Sequence, residues 1–337
     1  MMFWRMLALA ASLMLTAAAP APGQEKLFGN WAVVCDNVKR CEATALMPES
    51  WSGDEAPGLD IARDAGPAGA VTVAISPIRE VPGIIDILID RHMVGSGTMR
   101  DGSIHLTGGT AEGIARAFAT ARQLTLRSHG KIIATISLTG SSAALRYIDA
   151  EQGRAGGVTA LVARGPKSAV LVPAAAALPK VPAMRPGRGK AATLPAAQLT
   201  ALRTQAGCDG PMPEGWEPEF DRLDGRSTLL LLPCGMGAYQ GWAAIYVLTD
   251  GKAVAAQFDF GIESDRDPVP TLTEAEWDAG NGSLNSHAKG RGLGDCGISR
   301  EWVWDGSRFR MTLFNGLDAC RLSGNWMTRY RAQPVYK

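Results

Sequence analysis

The glycines near the C-terminus have the spacing of a nucleotide-binding loop. Gly292, Gly294 and Gly297 fit the pattern G-x-G-x-x-G. That pattern binds a pyrophosphate only where a strand precedes it and a helix begins at it. Here residues 301–304 and 309–314 are apolar stretches around an Asp-Gly turn, which is typical of a β-hairpin. The glycines therefore predict a bend ahead of a strand, and no nucleotide cofactor is expected.

A serine pair has the setting of a hydrolase nucleophile. Ser141 and Ser142 follow Gly140 between a predicted strand and a predicted helix, as the nucleophile of a hydrolase elbow does. Ala144 stands where the motif has glycine, and the sequence marks no histidine as the base. A serine at such a junction more often caps the helix. A serine hydrolase using Ser142 therefore stays an alternative, and no catalytic residue is predicted.

Carboxylates cluster late in the chain. Glu263, Asp265, Asp267 and Glu274 have the ligand type that calcium prefers, but the ligand order and central glycine of an EF-hand are missing. We therefore expect a solvated acidic loop over residues 265–278, without a metal. Glu274 and Glu276 also have the chemistry of an acid and base pair. Nothing in the sequence marks these two glutamates beyond their charge.

The N-terminus predicts export. Arg5 precedes an apolar run over residues 6–18, and small residues and prolines lead to Gly23. This is the pattern of a secretory signal peptide, with cleavage expected after Gly23. The run is too short for a membrane span, and no later segment is long enough. We expect a periplasmic or secreted protein.

Export makes disulfides the expected state of the cysteines. The six are Cys35, Cys41, Cys208, Cys234, Cys296 and Cys320. Fifteen pairings are possible, and the sequence alone does not choose among them. The spacing favours neighbours, namely Cys35–Cys41, Cys208–Cys234 and Cys296–Cys320. A metal site is not expected, because no Cys-x-x-Cys pair is present and the four histidines lie far from the cysteines.

Composition and length predict a globular chain of two domains. The sequence is 46% hydrophobic and 20% charged, with a net charge of +1, so a nucleic-acid partner is not expected. After the signal peptide of residues 1–23, we predict an N-terminal domain over 24–165 and a C-terminal domain over 194–337. Residues 166–193 are rich in alanine, proline and glycine, with basic but no acidic residues, which predicts an extended linker. A basic tether to an anionic surface is the alternative.

Short apolar runs separated by turn signals predict mostly antiparallel strands. In the N-terminal domain we expect strands over 28–35, 41–47, 59–63, 69–76, 84–90, 124–126, 131–138 and 158–162. Helices are expected over 110–121 and from 140. In the C-terminal domain we expect a helix over 194–206 and strands over 227–233, 241–248, 253–260 and 282–288. The prediction is an α+β fold with a β-sandwich-like N-terminal domain carrying two short helices, and a small disulfide-bonded antiparallel C-terminal domain.

Aromatic residues beside the cysteines have two interpretations. Trp302 and Trp304 fall on the same face of a predicted strand, and Tyr239 and Trp242 follow Cys234 closely. Aromatic side chains of this kind usually fill the core of a small β domain. Alternatively, they form a recognition surface with charged neighbours. The candidate binding surface is Tyr239, Trp242, Arg291, Asp295, Trp302 and Trp304.

A set of segments along the chain has a recognisable combination of residues, namely 137–146, 149–154, 232–234, 237–240, 289–297 and 302–306, with Phe309, Cys320 and Trp326. Together these segments resemble a family of secreted bacterial proteins, the domain of unknown function DUF1176. Gly235 and Met236 depart from the bulky aromatic and basic pair expected there. The opening around Trp31 is more loosely similar to invasion-associated locus B proteins, which are exported β-rich host-interaction factors. The resemblance implies no catalytic residue, because the family's activity is unknown.

These observations favour an exported, non-enzymatic binding or envelope-associated protein. Its partner is expected to be an envelope or extracellular protein or a glycan. One alternative is an inhibitor of a cell-wall hydrolase, by analogy between folds. The other is the serine hydrolase described above.

Overall fold

The computed structural model describes residues 21–53, 55–208, 214–260, 262 and 268–337. The predicted signal peptide lies almost wholly outside these ranges, as do Glu263, Asp265 and Asp267. The described chain is mostly antiparallel sheet with three short α-helices, which confirms the α+β prediction. None of its helices has the length and hydropathy needed to cross a membrane.

Two sheets build the N-terminal half. The strands of the first are Lys26–Leu27 (β1), Trp31–Cys35 (β2), Cys41–Ala45 (β3), Gly58–Arg63 (β4), Val71–Ser76 (β5) and Ile104–Thr107 (β8). Those of the second are Ile85–Ile89 (β6), His92–Gly97 (β7), Gln123–Ser128 (β9) and Lys131–Ser137 (β10). The sheet orders are β1-β2-β3-β4-β5-β8 and β10-β9-β6-β7. Helices Gly108–Ala117 (α1) and Ser141–Glu151 (α2) pack mainly on the first sheet.

Alternation decides which residues of these strands form the core. In β5, Val71, Val73 and Ile75 are buried, while Thr72 between them is exposed, because successive side chains point to opposite faces. Both sheets and both helices contribute to one buried cluster. The chain enters α2 through Gly140, whose φ of 99° and whose contact with the Phe28 carbonyl leave no room for a side chain.

Two more sheets build the C-terminal half. The first holds Glu219–Arg222 (β12), Ser227–Met236 (β13), Gly241–Thr249 (β14), Lys252–Ala255 (β15) and Thr271–Thr273 (β16). The second holds Glu276–Asp278 (β17), Ser283–Lys289 (β18), Gly297–Trp304 (β19), Phe309–Leu317 (β20) and Met327–Arg331 (β21). Their orders are β12-β13-β14-β15, with β16 also on β14, and β17-β18-β19-β20-β21. Helix Ala196–Gln205 (α3) covers the outer face of the first sheet, where Tyr246 donates a hydrogen bond to the Leu202 carbonyl at 2.7 Å.

The three disulfides are the neighbour pairs that the spacing favours. Cys35 and Cys41 lie directly opposite each other across the β2–β3 hairpin. Cys208–Cys234 joins the end of α3 to β13, and Cys296–Cys320 joins the loop before β19 to the segment after β20. Each bridge closes within one half of the chain.

The strand predicted over 158–162 is wrong. The amides of Leu161, Val162 and Ala163 donate to the buried carboxylate of Asp149, at 2.8 to 3.0 Å, rather than to another strand. Asp149 lies on α2, so this apolar segment wraps a helix and forms a loop there. The acidic loop expected over 265–278 likewise contains strand residues, in β16 and β17.

The predicted linker is extended but not free. Lys180–Ala183 (β11) pairs in parallel with Gln333–Tyr336 (β22), the final strand. The Met184 amide donates to the Trp304 carbonyl at 2.7 Å, and Ala183 is fully buried. This part of the segment is therefore packed on the C-terminal half. The domain limits themselves stay a prediction.

The two halves are in direct contact. Ala32, Val34 and Leu46 pack against Leu317 and Met327 in a buried cluster of their own. Around it, Arg331 pairs with Asp36, and Arg321 donates to the Met47 carbonyl and to Asn30. The contact between the halves therefore has an apolar centre surrounded by polar and charged pairs.

Candidate functional site

Two of the four aromatic residues in the predicted binding surface are buried. Trp302 is fully buried and Trp304 is 4% exposed, and both belong to the core between the two C-terminal sheets. The Trp304 indole donates to the carboxylate of Asp224 at 2.7 Å, and the Trp302 indole to the Phe260 carbonyl at 3.4 Å. Because the two tryptophans lie on the same face of β19, both pack against the other C-terminal sheet. They therefore belong to the core between the two sheets.

Tyr239 is exposed at a rigid tip. It lies in the turn between β13 and β14, and 49% of its surface is accessible. The next side chain, Gln240, accepts a hydrogen bond from the Lys289 amide at 2.9 Å and so joins the turn to the second sheet. The ring of Tyr239 lies close to Gly292, where no side chain intervenes. The position of the tip is thus fixed by contacts on both sides.

A cleft of about 610 Å³ opens beside this tip. Its walls come from the segment ahead of β12, the β13–β14 turn, the β16–β17 connection and β18. The lining side chains are Glu214, Trp216, Met236, Tyr239, Glu274, Ala275, Glu276, His287 and Lys289. The disulfides Cys208–Cys234 and Cys296–Cys320 anchor the ends of two of these walls, so the cleft exists before any ligand arrives.

One face of β18 lines the cleft, because side chains alternate between the two faces of a strand. His287 and Lys289 share a face with Asn285, opposite to the face of core residue Leu284. The His287 ring stacks on Trp326 at 4.4 Å between centroids and 7° between planes. Partial burial, together with the charge of Lys289, lowers the pKa of His287. His287 is therefore a neutral wall of the cleft at pH 7.

Two carboxylates line the cleft beside β18. Glu274 accepts a hydrogen bond from the Gly241 amide at 2.6 Å and takes a φ of 44°, so its backbone is held in an unfavourable conformation. Glu276 lies near Glu219, whose pKa is raised by burial and then by the charges of Asp221 and Glu276. Glu274 and Glu276, which the sequence marked only by their charge, thus both line the cleft.

Arg291 and Asp295 brace the loop behind the tip. Two guanidinium nitrogens donate to the two carboxylate oxygens at 2.6 and 2.7 Å, and Asp295 also accepts from the Leu322 amide at 2.7 Å. The hydrogen bonds from Arg291, despite partial burial, lower the pKa of Asp295. Asp295 is buried, and Arg291 lines a separate small cavity with Trp51 and Arg321. Asp295 is therefore a structural support of the loop.

Trp242 faces a different space. Its side chain is 38% exposed and lines a cavity of about 290 Å³ with Thr271, Ser286 and Arg300. Ser286 lies on the opposite face of β18 from His287, so this cavity and the cleft are on two sides of one strand. Of the six residues predicted as one surface, Tyr239 alone lines the cleft.

The candidate nucleophile Ser142 lies at the start of α2. Ser141 and Ser142 begin α2, and Ser141 donates to the Phe118 carbonyl at 2.8 Å. Within the described ranges, no hydrogen bond joins Ser142 to a histidine. Over the same residues, no group of three or more histidine, cysteine, aspartate or glutamate side chains is arranged to hold a metal ion.

The cleft residues missed by the sequence come from four separate segments. Trp216 and His287 lie in no motif, and Lys289 was noted only as the start of a segment similar to the family. The alternation of β18 places His287 and Lys289 on one face. The long-range pairing that joins these segments leaves no mark in any single window of sequence.

The chain belongs to the family described as "Protein of unknown function (DUF1176)", which it matches over residues 25–333. It is similar to the uncharacterized protein YpfG of Escherichia coli strain K12. The two are 28% identical over 343 residues, covering 93% of this chain and 91% of its relative. No solved structure matches the chain.

Proposed function

We propose that this protein is exported and acts as a non-enzymatic binding protein that holds an envelope or extracellular ligand in the Tyr239 cleft. The observation that carries the proposal is the exposed Tyr239 ring on a braced turn beside a preformed cavity. Exposed aromatic side chains on a fixed scaffold supply large contact area at little entropic cost.

The disulfides support export. Three bridges among the described residues suit an oxidising compartment outside the cytoplasm. The signal-peptide pattern of residues 1–23 and the looser likeness of the N-terminal part to invasion-associated locus B proteins agree with this. Cell fractionation and the mass of the mature chain test it: we expect a periplasmic or secreted product that begins after Gly23. A cytoplasmic, full-length product would contradict export.

Capture from envelope extract tests the binding role. Immobilised wild type should retain a ligand that Tyr239→Ala loses. Trp51→Ala is the matched control, because Trp51 is 42% exposed and lines another cavity. Equal capture by all three proteins would exclude the cleft as the binding site. Unchanged thermal unfolding of Tyr239→Ala would show that its fold is intact.

Two alternative roles have separate tests. A cell-wall hydrolase inhibitor should slow the release of fragments from purified cell wall by an added hydrolase, and Tyr239→Ala should relieve that inhibition. A serine hydrolase should react with a fluorophosphonate probe and lose the label in Ser142→Ala. We expect no labelling in either protein.

A further inference from the structure

The walls of the cleft combine aromatic and apolar groups at its mouth. The Trp216 ring lies over Gly241, where a side chain would collide with it, while Tyr239 comes from the turn that precedes the same strand. Met236, 59% exposed, stands on the same wall. Methionine adapts its shape to varied partners, so this mouth suits a ligand with apolar parts of variable outline.

The lining of the cleft that the structure describes carries a net negative charge. It holds three carboxylates, those of Glu214, Glu274 and Glu276, and one lysine, Lys289. His287 adds no charge at neutral pH because its pKa is lowered by burial and by Lys289. An anionic ligand would be repelled by the excess of carboxylates, and a neutral ligand would leave their negative charge uncompensated. A cation would both compensate the carboxylates and lie against the aromatic faces.

We propose that the cleft binds a basic peptide segment of a partner protein, with a lysine or arginine side chain against the Trp216 and Tyr239 rings, near Glu274 and Glu276. This rests on the proposed function of the cleft and names its ligand class. A peptide fits better than a glycan because it alternates basic and apolar side chains, which match the carboxylates and the exposed Met236. The methionine thioether offers a sugar hydroxyl only a weak acceptor.

The test is a titration followed by calorimetry, with a blocked hexapeptide that alternates leucine and arginine. Two matched peptides replace arginine by glutamine or by glutamate, and a chito-oligosaccharide represents glycans. We expect the arginine peptide to bind, more weakly at high salt, and the three other probes to bind at least about tenfold more weakly, the factor that ~1.4 kcal/mol corresponds to.

Variants locate the binding. Trp216→Ala and Tyr239→Ala should each weaken binding of the arginine peptide by about tenfold, the scale of a partly desolvated cation–π contact. Because Trp216 also packs on the core, the exposed Glu276→Lys serves as a second variant that keeps the fold, and it should weaken binding at least as much. Trp51→Ala and Glu80→Gln, exposed and outside the cleft, should leave it unchanged.

The outcomes separate this inference from the function it rests on. Equal binding of the arginine and glutamine peptides, tighter binding of the oligosaccharide, or no effect of Glu276→Lys would overturn the basic-peptide assignment. If Tyr239→Ala still abolished capture of the envelope ligand in that case, the cleft would remain the binding site with another ligand class. If capture also survived, both proposals would fail.

Discussion

The two halves of the molecule build similar layered cores from different materials. In the N-terminal half, the buried core is aliphatic except for Trp31, Phe118 and the Cys35–Cys41 disulfide. In the C-terminal half, the core between the sheets carries five aromatic side chains, which are Trp277, Trp302, Trp304, Phe309 and Tyr330. Both halves are β-rich, so the difference lies in what fills the space between layers.

Charge is also used differently. The N-terminal half buries a polar cluster in which Asp149 faces Arg63 at 3.6 Å and Arg154 donates to Gln152 and Thr159. Burial lowers the pKa of Arg63 to about 10. The C-terminal half instead places carboxylates around an open cleft. We infer that the first half is a rigid support and the second carries the ligand site.

Breaking the buried cluster should have the largest effect. Asp149→Ala removes the carboxylate that is the ion-pair partner of Arg63 and the acceptor of three backbone amides, and we expect it to lower the free energy of unfolding by about 4 kcal/mol. Denaturant unfolding measures this. The exposed pair Arg226–Asp250 is the control, and Asp250→Ala should change stability by less than about 1 kcal/mol. Similar losses in both variants would mean that burial of the first pair is unimportant.

Removing an aromatic core residue should come next. Trp302→Ala should cost about 3 kcal/mol or more, because it opens a cavity between two sheets. The half-exposed Trp242→Ala should cost less than about 1 kcal/mol. The same unfolding experiment applies. If Trp302→Ala were as mild as Trp242→Ala, its assignment to the core would be wrong.

The disulfides should rank by the length of chain that they close. Replacing Cys296 and Cys320 together by serine should cost about 3 kcal/mol, and replacing Cys35 and Cys41 about 2, since the sequence separations are 24 and 6. Cys320 is exposed whereas Cys35 and Cys41 are buried. Mild reduction should therefore open the Cys296–Cys320 bridge before the Cys35–Cys41 bridge. Thiol labelling followed by peptide mass mapping checks this order, and earlier labelling of Cys35 would reverse it.

The smallest effect is expected for two aspartates whose pKa values are shifted in opposite directions. Burial by itself raises the pKa of Asp224, but hydrogen bonds from the Arg226 and Ser227 amides and from Trp304 lower it overall. Its stabilisation is therefore present above the unfolded-state pKa and is lost as the pH falls through the folded-state pKa. Burial raises the pKa of Asp60 despite the Thr44 hydroxyl. Asp60 therefore stabilises fully below its unfolded-state pKa and loses that contribution as the pH rises through its folded-state pKa.

The two asparagine variants separate these cases. Asp224→Asn should lower stability at pH 7 and flatten its decline in acid, whereas Asp60→Asn should leave stability at pH 7 unchanged or raised. Unfolding free energies measured between acid and neutral pH provide the comparison. The same pH profile for both variants would show that the local hydrogen bonds do not set the two shifts.

Much of this fold could be predicted locally. The alternation of β5, the Asp-Gly turns after β14 and β19, and the helical spacing around Ala144 and Ile148 each depend on neighbours in the chain. The six cysteines lie in closely spaced pairs, and the hairpin placed Cys35 opposite Cys41. Strand and helix types were therefore available from short stretches of sequence, and the spacing of the cysteines favoured the neighbour pairing that the structure has.

Which elements pack against each other was decided only by the tertiary structure. The alternation of β19 put Trp302 and Trp304 on one side, and their aromatic type favoured the core, but the sheet that covers that side is built by distant strands, so the choice between core and surface had no local signal. The same holds for the segment 158–162, whose amides found the Asp149 carboxylate rather than a strand. The cleft itself needs Trp216, Tyr239, Glu276 and His287 from four segments. A sequence determines periodicity through its neighbours, whereas a site depends on contacts between residues far apart in the chain, which only the packed structure brings together.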